Sequence, residues 1–291
     1  MRILVLGGDG MLGHALLEEL GPRHQVWATL HRDRPSYAAH AALFRERALY
    51  RIDVRQHAAL RRALAAARPE AVVNAVGLVK QRAEVKDAVA AVELNALFPH
   101  RLARLCGEVG ARLVHFSTDC VFSGLRGRYA ETDLPDPVDL YGRSKLLGEP
   151  SGAACLTLRT SMIGLELSRR SGLVEWFLAQ RGPVRGYRRA VFSGLTTREL
   201  ARAVERLLEK AGGPSGLYHL AAEPISKHEL LARLSARLGR KDVELIPDDE
   251  VVCDRSLDGR ALAALTTYRV PSWDAMLDEL AASIRQRSAA P

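Results

Sequence analysis

Short apolar runs alternate with longer stretches of helical spacing over the first 160 of 291 residues. Arg2–Leu6 is an apolar strand run, and Met11–Leu20 follows it with the spacing of an amphipathic helix. Gln25–Leu30 and Tyr50–Val54 read as the second and third strands, with His57–Ala67 as the next helix. Ala71–Gly77 is almost continuously apolar, which suits a parallel strand buried on both faces. Val85–Cys106 then predicts one long helix, Leu113–Phe116 a fifth strand and Cys155–Arg159 a sixth. Between these last two, the segment around Tyr141 predicts a short helix, stopped by Pro150 and Gly152. The alternation predicts an α/β fold, a doubly wound parallel sheet.

Beyond Thr160 the regularity fades. Gly172–Gln180 and Ile225–Leu238 predict helices, Ala190–Leu195 and Leu217–Ala221 strands, and Thr197–Lys210 a helix that returns to the sheet. Pro224, Pro247 and Pro271 punctuate the tail, without internal repeats or a low-complexity linker. The expected organisation is a sheet domain over 1–160, to which 188–215 returns, and a smaller C-terminal lobe from 161–187 and 216–291.

Composition narrows the function classes. Apolar residues make up 47% and charged residues 26%, an ordinary globular balance. No basic-then-apolar leader opens the chain, and no apolar run approaches the roughly 20 residues of a membrane helix. A soluble cytoplasmic protein with no membrane partner is expected. Cys106, Cys120, Cys155 and Cys253 are widely spaced and no histidines cluster, so reduced thiols and no metal are expected. The net charge of +8 would admit nucleic acid, but the arginines are scattered, with no run longer than a pair such as Arg61–Arg62. That pattern predicts surface ion pairs and a pocket for an anionic small molecule, not a nucleic-acid groove.

Candidate chemistry gathers at strand ends. Gly7, Gly10 and Gly13 form G-x-x-G-x-x-G between a strand and a helix, the context that gives this pattern meaning. Such glycines permit a tight turn and close approach of a pyrophosphate, which then faces the helix amino terminus, as in a Rossmann sheet. After the second strand come His31, Arg32 and Asp33. An arginine there accommodates a 2′-phosphate and an acid holds ribose hydroxyls, so Arg32 favours NADP(H), while Asp33 leaves NAD(H) open. Asp53, beside Val54, is placed either to accept from an adenine amino group or to cap the following helix. Asn95 lies amid apolar helix residues, either a satisfied core polar group or a support for backbone or water near the site. The fifth strand delivers Ser117, Thr118 and Asp119, and Tyr141 and Lys145 share one helix face four residues apart. A hydroxyl, a phenol and an ammonium suit proton delivery to a carbonyl: the ammonium lowers the phenol's pKa and the hydroxyl positions the substrate oxygen.

Taken in order, G-G-D-G-M-L-G (7–13), I-D-V (52–54), V-N-A-V-G (73–77), E-L-N-A (93–96), S-T-D-C-V-F-S-G (117–124), Y-G-R-S-K-L-L-G-E (141–149), L-R-T-S (158–161) and C-D-R-S-L (253–257) carry a resemblance. The chain resembles the extended short-chain dehydrogenase/reductases over nearly its whole length, and within them the dTDP-4-dehydrorhamnose reductases and related nucleotide-sugar 4-ketoreductases. The resemblance implies a catalytic triad of Thr118, Tyr141 and Lys145 and a pyrophosphate loop of Gly7, Gly10, Met11, Leu12 and Gly13. It implies adenine contacts at Asp53 and Val54, a nicotinamide side lined by Ala75, Val76 and Gly77, and a family asparagine at Asn95. The implied reaction is hydride transfer from NADPH to C4 of an NDP-4-keto-6-deoxyhexose held between the lobes, in deoxysugar synthesis. Tyr141 would protonate the alkoxide, and Lys145 would hold the nicotinamide ribose. The implied partner is a nucleotide-diphosphate sugar, and a homodimer is left open.

Departures from the family pattern leave the sugar open. Cys120 stands where the reductases carry tyrosine, either shaping the sugar pocket with Thr118 and Asp119 or packing as a small buried residue. Leu78–Arg82 also differs, with Lys80 as a substrate contact or a solvated loop lysine. A UDP-linked N-acetylated 4-keto sugar therefore competes with the dTDP-linked one. Arg255 either holds the diphosphate or pairs with Asp254 or Asp258. Two rivals share the fold. An epimerase or dehydratase is one, although Cys120 stands where dehydratases carry an acid. A cofactor-binding partner like the regulatory β subunit of methionine adenosyltransferase is the other.

Overall fold

The structure, a computed structural model, describes residues 1–44, 47–79, 87–209 and 213–289. Its first half runs β1 (Arg2–Leu6), α1 (Met11–Leu20), β2 (Gln25–Thr29), β3 (Ala48–Leu49), α2 (His57–Ala67), β4 (Ala71–Asn74), α3 (Ala88–Ala91), α4 (Phe98–Glu108), β5 (Arg112–Thr118), α5 (Leu140–Leu147) and β6 (Cys155–Thr160). The second half opens with β7 (Met162–Ile163), α6 (Leu173–Ala179), β8 (Gly182–Tyr187), β9 (Ala190–Phe192), β10 (Leu195–Thr196) and α7 (Thr197–Glu209). It closes with β11 (Gly216–His219), β12 (Ile225–Ser226), α8 (Lys227–Leu238), β13 (Val243–Asp248), β14 (Cys253–Asp254), α9 (Arg260–Leu265) and α10 (Trp273–Ala289).

Seven strands pair in parallel in the order β11-β6-β5-β4-β1-β2-β3. The winding reverses between β1 and β4, so the crevice at their carboxyl ends is where such a sheet receives ligands. Alternate residues of each strand face opposite sides. Ile3, Val5, Val73, Val114 and Leu156 pack under α1 and α7, while Leu4, Leu6, Val72 and Leu113 pack under α2 and α4. The first of these cores runs on without a break through Leu230 and Leu234 of α8 and Trp273 and Leu277 of α10. Truncating one such residue, Leu16 to alanine for instance, would cost about 2–5 kcal/mol.

The arginines form ion pairs across elements, Arg202 with Glu19 and Glu279, and Arg237 with Asp274 and Asp278. Among the described residues no helix is long and apolar enough to cross a membrane.

Several elements differ from the sequence expectation. The third strand is Ala48–Leu49, not Tyr50–Val54. Arg51 adopts a left-handed backbone (φ 56°) and ends the ladder, leaving Asp53 and Val54 in the turn that follows. In place of one long helix over Val85–Cys106, a π-helical turn over Val92–Leu97 joins α3 to α4. Such a turn inserts one extra residue per loop of backbone and often marks a site. The strand expected in the lobe at Leu217–Ala221 is β11, which extends the main sheet from Gly216 opposite Leu156 to His219 opposite Arg159. The helix expected from Ile225 begins at Lys227, because Ile225 and Ser226 pair with Phe192 and Val191 and Ser226 caps α8. β8 and β13 pair with each other and carry no clear apolar alternation; each holds a proline and is largely exposed.

Candidate active site at the carboxyl end of the sheet

The glycine loop is tied to the end of β2. Gly7 N donates to Thr29 Oγ1 at 3.1 Å and Gly8 N to the Thr29 carbonyl at 3.0 Å. Gly7 has φ 78°, and a Cβ on Gly13 would lie 2.0 Å from the Gly7 carbonyl oxygen, so both positions require glycine. Gly10 caps α1 without a side-chain acceptor, which leaves the first amides of the helix, at Met11 and Leu12, facing outward for an anion. This cradle fits the diphosphate of a dinucleotide.

Arg32 is exposed just beyond β2, with its amide donating to Tyr37 Oη at 3.3 Å. Asp33 is engaged elsewhere: it accepts from Ser36 and from Arg51 at 3.2 Å, contacts that hold its carboxyl below the usual range. Asp53 accepts from the Arg55 guanidinium at 2.8 Å, which likewise lowers its pKa. It does not cap α2, whose cap is Gln56. Val54 is buried beside it.

Ala75, Val76 and Gly77 leave β4 on the crevice side. Asn74 holds this loop, accepting from Val76 N at 3.0 Å while its amide meets His115 Nδ1 at 3.0 Å. Burial keeps His115 well below its ordinary pKa and neutral. Asn95 completes the lacing from the π-helical turn: it accepts from Leu78 N at 2.8 Å and donates to the Leu78 carbonyl at 3.0 Å and to Ser144 Oγ at 3.2 Å. Asn95 is fully buried with its side chain satisfied, and its bonds hold the backbone beside the site, so both readings open for it apply. Lys80 lies outside the described residues.

Thr118 ends β5 and caps the short turn after it, accepting from Cys120 N at 3.1 Å and donating to Asp119 Oδ1 at 3.2 Å. α5 starts at an Asp139 cap and carries Tyr141 and Lys145 one turn apart, with Thr118 near enough to act on the Tyr141 phenol. Burial pushes the phenol above its ordinary range, the Cys120 side chain adds to this, and the Thr118 hydroxyl opposes it. Lys145 is not among the groups that act most strongly on the phenol. The buried ammonium donates instead to the Phe116 carbonyl at 2.5 Å, and burial lowers its own pKa to about 8, opposed by Glu149. Tyr141 is thus a protonated donor, the state that carbonyl reduction needs. Glu149 accepts two bonds from Arg159, both at 2.8 Å, and one from Ser117 at 2.5 Å, in a largely buried ion pair.

The lobe faces this set with two cations. Arg255 pairs with neither Asp254 nor Asp258; it donates to the Phe122 carbonyl at 2.9 Å and to the Ser123 carbonyl at 3.3 Å. It thereby fastens the loop that follows Thr118, Asp119 and Cys120. Lys227 stands 3.6 Å above the Phe192 ring, with no ion-pair partner among the described residues, and burial lowers its pKa. Asp119 is buried between these groups, and burial raises its pKa against the pull of Lys227 and then Arg255. The Cys120 side chain is near enough to act on Tyr141, Lys227 and Arg255 alike. Lys227 escaped the sequence reading because it continues an amphipathic pattern. The available signal was a cation in the first turn of a helix, where the dipole disfavours it. No group of three or more candidate metal ligands occurs among the described residues.

Comparison with known proteins agrees with this architecture. A family profile described as RmlD substrate binding domain matches residues 1–284. A dTDP-4-dehydrorhamnose reductase from Burkholderia thailandensis is 37% identical over 168 residues, covering 56% of this chain and 50% of that protein. The chain thus spans about half the length of that curated relative. Methionine adenosyltransferase 2 subunit beta from Danio rerio is 27% identical over 278 residues, covering 86% of this chain and 77% of that protein. Among solved structures, a dTDP-4-dehydrorhamnose reductase from Bacillus anthracis in complex with NADP has a TM-score of 0.79. Its identity of 21%, over 97% of this chain and 99% of that one, speaks for the fold. With the profile matched from residue 1 to residue 284, the chain belongs to the RmlD substrate-binding-domain family.

Proposed function

We propose that this protein is an NADPH-dependent reductase of the C4 keto group of a nucleotide-diphosphate-linked 4-keto-6-deoxy sugar. The carrying observation is the Tyr141 phenol, held protonated by burial, near Thr118 at the end of β5 and one turn from Lys145. Bound NADPH would supply the hydride. Tyr141 donates its phenolic proton to the C4 oxygen as negative charge develops there, and Thr118 hydrogen-bonds the same oxygen. Lys145 holds the nicotinamide ribose and fixes the charge beneath the phenol. Gly7, Gly10, Met11, Leu12 and Gly13 cradle the diphosphate, Arg32 meets the 2′-phosphate, and Asp53 with Val54 borders the adenine. Ala75, Val76 and Gly77 line the nicotinamide side. Asp119, Cys120 and Lys227 border the sugar, and Arg255 fixes the loop that carries the first two. The B. anthracis protein's complex with NADP supports the cofactor, with NAD(H) as the alternative.

The test is oxidation of NADPH against a panel of dTDP- and UDP-linked 4-keto-6-deoxy sugars, N-acetylated and not. Turnover with one member identifies the sugar. Unchanged NADPH with every member, while the cofactor still binds, contradicts the reading. A second reading, a cofactor-binding subunit of a larger assembly, is favoured by the likeness to methionine adenosyltransferase 2 subunit beta over 77% of that protein. Isolation of a stoichiometric complex, together with no turnover, would select it.

A further inference from the structure

The glycine loop carries an acid, Asp9, to which the proposed reaction gives no role. Its Oδ2 accepts the phenolic proton of Tyr37 at 2.9 Å, and the Tyr37 oxygen in turn accepts the Arg32 amide at 3.3 Å. One phenol therefore joins the glycine loop to the residue that follows β2. Its ring is fixed from behind: Tyr37 is buried in a small cluster with Leu30 and Phe44, edge-on to Phe44 at 5.2 Å between centroids. The segment carrying it, Arg34–His40, is itself anchored by Asp33. Burial pushes Tyr37 up to about 12, so the phenol stays a donor at every working pH.

The place matters. In a dinucleotide-binding sheet, the residues that end the second strand meet the adenosine ribose and whatever stands on its 2′ oxygen. The bonds from Gly7 and Gly8 to Thr29 bring the glycine loop to that same strand end. Asp9 and Arg32 thus present opposite charges to one position. A free carboxylate there accepts from a ribose 2′-hydroxyl and repels a 2′-phosphate, whereas an arginine does the reverse.

Resting on the cofactor assignment above, we propose that Tyr37 is a positioning residue for cofactor choice. Its hydroxyl occupies the Asp9 carboxylate and steadies the Arg32 backbone, so that Arg32 and not Asp9 meets the 2′-phosphate of NADP(H). Without that hydroxyl, Asp9 becomes the ribose acceptor and the preference moves toward NAD(H).

The experiment measures dissociation constants of NADPH and NADH for the whole protein by calorimetry, with no sugar present. Tyr37→Phe lowers the NADPH-over-NADH preference about tenfold, the scale of one unshielded carboxylate near a phosphate dianion. Asp9→Asn raises the preference, and the double variant returns it to the wild-type value or above. Equal weakening of both cofactors in Tyr37→Phe, or an unchanged ratio in Asp9→Asn, overturns the proposal while leaving the reductase reading intact. A wild-type protein that binds neither dinucleotide overturns both.

Discussion

The two sides of the candidate site are built on different principles. On the sheet side, Thr118 ends a seven-residue strand, and Tyr141 and Lys145 share one face of an eight-residue helix. Their spacing follows from regular backbone, and Asn74 and Asn95 add the cross-links that fix the neighbouring loop. On the lobe side, Lys227 and Arg255 follow β12 and β14, strands of two residues each that flank β9. Strands this short have little stability of their own. Individual hydrogen bonds hold them: Arg255 to the Phe122 and Ser123 carbonyls, Arg128 N to Ser256 Oγ at 2.8 Å, and Leu257 N to Ser193 Oγ at 2.8 Å. On the proposed function, chemistry rests on the rigid side and substrate fit on the side held bond by bond. Changes to the first should therefore show in kcat or in global stability, and changes to the second in KM.

Tyr141→Phe should have the largest effect. Turnover falls by about a hundredfold or more, the usual contribution of a general acid, while NADPH affinity is kept. A variant near the wild-type rate would mean that the proton comes from elsewhere. Glu149→Leu leaves Arg159 buried without its counter-ion and should cost about 3–5 kcal/mol in denaturant unfolding. A much smaller loss would show that the sheet side is less rigid than described.

The third prediction concerns pH. Burial lowers the Lys145 pKa in the folded chain to about 8, so the charged lysine opposes folding at and below that pH. The opposition fades as pH rises from about 8 toward 10.5, the ordinary lysine value, because the unfolded chain keeps its proton longer. Stability relative to Lys145→Met should therefore rise by on the order of 3 kcal/mol across that window. A flat difference would place the ammonium in water. Arg255→Met should be the mildest. It loosens the loop after Cys120 and raises KM about tenfold with kcat little changed, the loss of one or two charge-assisted bonds. A fall in kcat of that size would move Arg255 to the chemical side of the comparison.

The sheet side was also the legible side. Continuous apolar runs and glycine punctuation act over neighbouring residues, so β1, α1 and the strand leading to Thr118 could be read directly from the chain. The third strand slipped because Arg51 takes a left-handed backbone that no residue-type preference announces. The π-helical turn was hidden because its residues have ordinary helical composition. On the lobe side, Lys227 and the clamp of Arg255 depend on which two-residue strands meet, and that register is set by contacts more than 100 residues apart in sequence, as between Arg255 and Phe122. Likewise, spacing put Tyr141 near Lys145 but carried no information on the Phe116 carbonyl that takes the ammonium.

The most direct test of the central claim is transfer of deuterium from NADPH labelled at nicotinamide C4 to a 4-keto sugar nucleotide, read by NMR of the product. The account predicts label bound to C4 of the sugar, in the wild type and, far more slowly, in Tyr141→Phe. Label that stays on the cofactor with every sugar, or a C4 hydrogen that comes from solvent, would contradict it.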